Sequence, residues 1–301
     1  MKRGTNPFRK FVSEHARLFQ SGRRLAPGRP QKFPRHRKAP EGAPKALIFS
    51  PHPDDECIVG GLALRLLREA EWNVINVAVT LGGKIARRAE RLSELRGACD
   101  FLGFGLAVAD WDDINPVARQ ENRPSWRAAV EIVAEILAEQ QPRAIFVPHE
   151  NDRHPTHIGT HFLVLDALKK LSLRFECHVV ETEFWGQMTD PNLLVESGVE
   201  DVGDLVAALA CHVGEVRRNP YHVRLPTWMM DNVRRGAELV GGPSPRRSGF
   251  VHAGGQGGAA PDFTFATIYR LRQWSHGRLI NVLQRGKFLS RSKNPAGLFG
   301  I

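Results

Sequence analysis

The stretch ALIFSPHPDDE, residues 46–56, runs from a short apolar segment straight into a compact polar turn. Five residues of this character, without strict alternation, read as a strand covered on both faces, as in a parallel sheet. The same pattern recurs along the chain. NVINVAVT (73–80), a short run at 106–110, RAIFVP (143–148) and residues 176–184 read as further strands. Helical spacing separates them. Leu62, Leu66 and Leu67 share a face in the segment up to about Ala70, and Leu92, Leu95, Cys99 and Leu102 do so over 86–102, closed by Gly103. Ala129, Ile132, Val133, Ile136 and Leu137 mark a helix over 126–140, with Ser125 as its expected N-cap, and 157–171 reads as another. Strands alternating with helices predict an α/β fold: a mostly parallel sheet with helices on both faces and right-handed crossovers.

The flanking regions differ in composition. The chain has 301 residues and a formal net charge of +10, but residues 1–45 carry 13 Lys+Arg against 2 acids. Residues 270–301 carry 7 Lys+Arg and no acid, which leaves 46–269 with 22 basic and 30 acidic residues, a net −8. The arm 1–45, with six Pro and four Gly, is expected to be flexible, apart from a short amphipathic helix over Asn6–Phe19. The α/β domain is expected over 46–284, regular over 46–185 and less so over 186–284, followed by a mobile basic tail, 285–301. Within the less regular part, 203–218 and 226–239 look helical, 263–271 reads as a late strand, and seven Gly and two Pro in 241–258 mark a mobile loop. Cys57, Cys99, Cys177 and Cys211 form no CxxC pair, so neither a thiolate zinc site nor a disulfide scaffold is indicated. No apolar run reaches the ~18 residues of a membrane span, and no h-region follows the basic N-terminus. These features place the chain in a reducing cytoplasm, with peripheral contact at a membrane surface left open by its basic ends.

Two polar clusters follow strands. One is Pro51-His52-Pro53-Asp54-Asp55-Glu56; the other is His149-Glu150-Asn151-Asp152-Arg153-His154-Pro155-Thr156-His157. In an open α/β sheet, ligands sit outside the carboxyl ends of strands, where the strand order reverses. With the order 3-2-1-4-5, both clusters face that crevice. Alone, either reads equally well as a solvated loop or a helix cap; together at matching strand ends they read as one site. Imidazole and carboxylate suit zinc, and a zinc-bound water with its pKa lowered to about 7 is a nucleophile at neutral pH. A spare carboxylate could take its proton and a spare histidine could serve the oxyanion or leaving group. Gly82-Gly83-Lys84 lacks the rest of a P-loop, and neither GxGxxG nor GxSxG occurs.

The first cluster resembles the (A/P)HPDDE signature of the PIG-L/LmbE-like zinc-dependent N-acetylglucosaminyl deacetylases, and the second resembles their HPDH signature, over roughly residues 44–185. The resemblance implies a Rossmann-like fold and a zinc ion, with another divalent metal such as Fe²⁺ as the alternative. It implies His52, Asp55 and His157 as ligands, Asp54 as general base, and His154 as the group that polarises the carbonyl or assists the leaving amine. The residues alone do not tell Asp54 from Asp55. Thr156 departs from the family's Asp, so a carboxylate that could raise a catalytic histidine's basicity is missing; Asp152 is the candidate replacement. His161, four residues after His157, has the spacing of a helical ligand, but a surface or supporting position is favoured. Arg91, with Glu94, resembles the family's RxxE, and His212 resembles a histidine of its C-terminal helix, which makes both candidate substrate contacts; the bland readings are a surface ion pair and a core histidine. Lys84 and its neighbours Arg87 and Arg88 could hold an anion, and Asp110 and Asp112 could bond sugar hydroxyls.

The expected function is hydrolysis of the acetyl group from an N-acetylated amino sugar or its conjugate. Two alternatives stand beside it: a metal-dependent hydrolase of another amide or a phosphoester, and an anionic-surface binder acting through the basic ends. The expected partner is therefore a small or conjugated amino sugar, with weak contact to an anionic surface.

Overall fold

The computed structural model describes residues 6–34, 36–241, 261–283 and 286–300. In chain order the elements are α1 (Phe8–Gly22), β1 (Lys45–Ser50), α2 (Asp55–Ile58), α3 (Gly61–Ala70), β2 (Asn73–Ala78), α4 (Arg88–Leu102) and β3 (Gly105–Val108). Then come α5 (Pro116–Gln120), α6 (Pro124–Gln140), β4 (Ala144–Pro148), α7 (Pro155–Leu168), β5 (Cys177–Thr182) and β6 (Leu193–Ser197). The chain closes with α8 (Val199–Ala210), α9 (Val213–Val216), α10 (Tyr221–Leu239), β7 (Phe265–Ser275), β8 (Arg278–Asn281) and β9 (Lys287–Leu289).

The sheet order is β3-β2-β1-β4-β5-β7-β6-β9, with β8 paired to β7. β1 pairs β2 and β4 in parallel, β2 pairs β3 and β4 pairs β5 likewise, so the predicted order 3-2-1-4-5 is present and reverses between β1 and β4. β7 then runs antiparallel to both β5 and β6. Alternation along β1 explains its apolar run: Ala46 and Ile48 join one core with Leu62 and Leu66 of α3, Leu95 of α4 and Leu205 of α8. Leu47 and Phe49 join the other core with Val133 and Leu137 of α6 and Leu163 of α7. Both faces are helix-covered, so residues 46–49 are apolar on both sides of the strand.

Three expectations change. α6 starts at Pro124, not after Ser125; its cap residue is Arg123, and proline's fixed φ and missing N–H suit the first helical position. The tail is docked, not mobile: β9 pairs β6, and Phe299 is buried against Trp72, 5.0 Å between ring centroids. The arm is also partly ordered. It forms α1 and then lies on the body, where Arg29 meets Asp100 (3.2 Å) and the His36 ring bonds the Phe101 carbonyl (2.8 Å). The glycine-rich 241–258 lies outside the described residues except for Gly241. Among the described residues, no helix is long and apolar enough to cross a membrane.

Candidate active site

β1 delivers its chain to the crevice at Ser50. Pro51 and Pro53 restrict the turn that follows, and Asp54 closes it with φ +118°, a left-handed conformation strained for a residue with a Cβ. The turn is held from behind. The Asp54 amide donates to Glu56 Oε2 (3.0 Å), while Glu56 Oε1 accepts from the His212 ring (2.8 Å) and from the Cys57 thiol (3.2 Å). Arg91 bridges from α4 to the carbonyls of Leu81 (3.3 Å) and Pro53 (3.2 Å).

β4 delivers the second cluster. His149 continues the strand line by donating its amide to the Thr182 carbonyl (3.0 Å). Asp152 is buried and accepts from the amides of His154 (3.4 Å), Phe184 (3.1 Å) and Trp185 (3.3 Å). His154 caps α7, its Nδ1 accepting from the Thr156 amide (3.3 Å), with Pro155 in the first helical position. His157 follows in the first turn of α7.

The two loops bring three donor atoms together. His52 Nδ1 stands 3.2 Å from His157 Nε2 and 3.6 Å from Asp55 Oδ2, and His157 Nε2 stands 3.4 Å from Asp55 Oδ2. A tetrahedral ion with bonds of about 2.0–2.2 Å holds its ligands roughly 3.3–3.6 Å apart, so this triangle has the edges of a zinc site. Asp55 Oδ1 is buried with no hydrogen-bond partner, an orphaned lone-pair donor of the kind a cation satisfies. Asp152 Oδ2 lies 3.5 Å from His157 Nδ1 on the far side of the ring, where a carboxylate fixes the tautomer that leaves Nε2 free. The residues therefore fit a zinc ion. The ring of His154 lies 4.8 Å from that of His52 and 5.2 Å from that of His157, and one ring nitrogen of each of the three histidines lies within 4.8 Å of the others.

Electrostatics separates the two aspartates. Burial and then the neighbouring Asp55 and Glu56 charges push the Asp54 carboxyl well above its ordinary pKa. Burial also opposes ionisation of Asp55, but His157 and His52 outweigh it and its pKa is lowered. His154 is lowered to about 4, by burial first and then by His52 and His157, so its ring is neutral near neutral pH. Because Nδ1 accepts the Thr156 amide, the proton of that neutral ring is on Nε2.

Other sequence candidates lie elsewhere. His161 is neither surface-exposed nor in the triangle: it is buried, donates to the Pro148 carbonyl (2.8 Å) and approaches Glu181 (3.8 Å). That neighbourhood is an ion network in which Arg270 and Arg272 both clasp the buried Glu181. His212 is buried against Glu56, which corrects its reading as a substrate contact: it braces the Asp54 turn. Arg91 likewise holds backbone instead of pairing with Glu94, whose carboxylate accepts the Gly214 amide (2.9 Å). Asp110 accepts the Leu81 amide (3.0 Å) and sits 3.5 Å from Arg88, which also pairs with Asp112. Lys84 is exposed on the loop after β2.

Sequence reading missed an aromatic wall. Trp185, 49% exposed, lies 5.8 Å from His154 between ring centroids, and Phe184 lies 6.0 Å from His157. Tyr221, from the start of α10, stands 5.5 Å from Phe184 and 6.5 Å from Trp185, with Trp228 behind it. The adjacent FW pair directly after a strand was the available signal.

Residues 47–168 match the family model described as PIG-L, GlcNAc-PI de-N-acetylase. Among solved structures, the chain resembles the pseudoaglycone deacetylase Dbv21, with a TM-score of 0.56 at 16% identity, covering 77% of this chain and 97% of the other. It resembles N,N'-diacetylchitobiose deacetylase from Pyrococcus horikoshii with a TM-score of 0.52 at 16% identity, covering 89% and 94%. It is equally similar, TM-score 0.52 at 16% identity over 76% and 95%, to the 4-carboxy-2-hydroxymuconate hydratase GalB from Pseudomonas putida. At such identities the likeness establishes a shared fold, and that fold hosts more than one reaction. No curated protein sequence matches the chain.

Proposed function

We propose that this chain is a zinc-dependent N-deacetylase acting on an acetylated amino sugar carried in a conjugate. The observation that carries the reading is the His52–Asp55–His157 triangle with Asp54 strained into place beside it. When bound there, zinc would supply an acidified water and a polarised amide carbonyl. The chain's own residues do the rest. Asp54, with its raised proton affinity, takes the proton of the attacking water and can pass it to the departing amine. His154 presents Nε2–H as a neutral donor to the oxyanion, so the fixed proton on this ring replaces the charge that an Asp in place of Thr156 would have favoured. Trp185 offers a flat face to the apolar side of a pyranose. Beyond it a groove of about 620 Å³, lined by Arg153, Gln187 and Arg235 among others, has room for the rest of a conjugate. A two-metal phosphoesterase would call for further free carboxylates, and Glu150 and Glu181 are already held by Arg270.

Zinc content and acetate release for wild type, His52→Ala and Asp54→Asn test the reading. His52→Ala should lose metal and activity together. Asp54→Asn should keep its metal and lose roughly 10²–10⁴-fold in kcat, the usual contribution of a positioned base. Full activity in a metal-replete Asp54→Asn would refute the assignment.

A further inference from the structure

Helix α1 is the least explained element of the molecule. None of its side chains is buried, and Phe8, Phe11, Val12 and Leu18 are between 61% and 71% exposed. At 3.6 residues per turn these four share one face with His15 and Phe19, while Arg9, Lys10, Ser13, Arg17 and Gln20 occupy the other. A water-soluble surface has no use for such a stripe. Nor is the helix loose. A Cβ at Gly22 would stand 3.1 Å from Val223 Cγ1, and the Arg224 guanidinium lies 6.0 Å from the Phe19 ring. The C-terminal end of that face is thus tethered to the first turn of α10 through Phe19 and Gly22, while Phe8, Phe11, Val12 and Leu18 remain exposed.

We propose that α1 is an interfacial helix that seats the protein on an anionic bilayer surface. Both halves of its composition serve that occupant. Phe and Leu enter the boundary between headgroups and acyl chains, and the opposite, basic face meets lipid phosphates. Charge complementarity supports it. Among the described residues the only ion pair on the helix is Lys10–Glu14 (3.9 Å), and Arg23 and Arg24 follow directly after its end. Nucleic acid would use the cations but leave the bare apolar stripe in water. Placement supports it as well. α10 begins with Tyr221, a member of the aromatic wall at the crevice, so the bilayer and the crevice share a rim.

The test is vesicle flotation with the full chain, using phosphatidylcholine vesicles with and without phosphatidylglycerol. The comparison is wild type against Phe11→Ser/Leu18→Ser, which keeps the charge and changes only exposed side chains. Wild type should float with the phosphatidylglycerol vesicles, less so as salt rises. The double variant should bind roughly tenfold more weakly or worse, while releasing acetate from a soluble N-acetyl amino sugar at the wild-type rate. The proposal is overturned if wild type stays unbound at low salt or if the double variant floats equally well. It is overturned too if wild type is a dimer that the double variant dissolves, or if it binds duplex DNA in preference to vesicles. Flotation needs no catalysis, so loss of the deacetylase reading and loss of the membrane reading are told apart by which assay fails.

Discussion

Asp54 holds φ at +118° in a turn flanked by two prolines, where a glycine would sit without strain. The strain persists because Glu56 and His212 fix the turn from behind. Asp54→Gly should therefore raise stability by about 1 kcal/mol while abolishing acetate release; thermal denaturation beside activity checks this, and a lower Tm would count against a strained turn. Trp185 makes a different forecast. If its exposed face receives the sugar, Trp185→Ala should raise KM by about tenfold with little change in kcat, since a lost stacking contact is worth about 0.5–1.5 kcal/mol beyond its area. Steady-state kinetics on a soluble N-acetyl amino sugar separates the two constants. At this scale the two motifs were readable because each packs its chemistry into consecutive residues. Trp185 was not, because its neighbour His154 is brought to it only by the turn after β5. The role of His212 was equally hidden, since its partner Glu56 lies 156 positions away in the chain.

Helix α7 shows how an element positions the histidine proposed as a ligand. It begins on His154, presents His157 one turn later, and is pressed so closely on the segment before α5 that Gly159 has no room for a side chain. A Cβ there would lie 2.5 Å from the Ile114 carbonyl oxygen and 2.7 Å from the Asn115 amide nitrogen, both backbone atoms. Gly159→Ala should cost about 1–3 kcal/mol as overpacking and, by displacing α7, weaken zinc binding at His157. Urea denaturation and a zinc titration measure the two effects, and an unchanged variant in both would mean that α7 is free to shift. The periodic segments that pack both sheet faces were legible as helices within a few residues. β6, β8 and β9 were not, because each is short and gains its hydrogen bonds from β7 or from a strand far along the chain.

The crevice and the docked tail occupy opposite ends of the sheet. The crevice lies beyond the carboxyl ends of β1 and β4. The tail closes the other end, where Phe299 packs on Trp72 (5.0 Å) and His178 (5.1 Å) and its carbonyl accepts from Arg143 Nε (3.1 Å). Phe299→Ala should lower the unfolding free energy by about 3 kcal/mol and leave kcat close to wild type, as read by urea denaturation and acetate release. A tail without effect on stability would restore the mobile tail suggested by its charge. That suggestion failed because cations dominate the count while two apolar side chains, Leu298 and Phe299, do the packing. The sheet order carries one more consequence, for synthesis. β5 is finished at Thr182, yet the strand it pairs with antiparallel, β7, starts at Phe265, and β6 must also wait for β7. A ribosome therefore releases the motif-bearing segment with a bare strand edge, and that edge is exposed to misassociation until β7 has emerged.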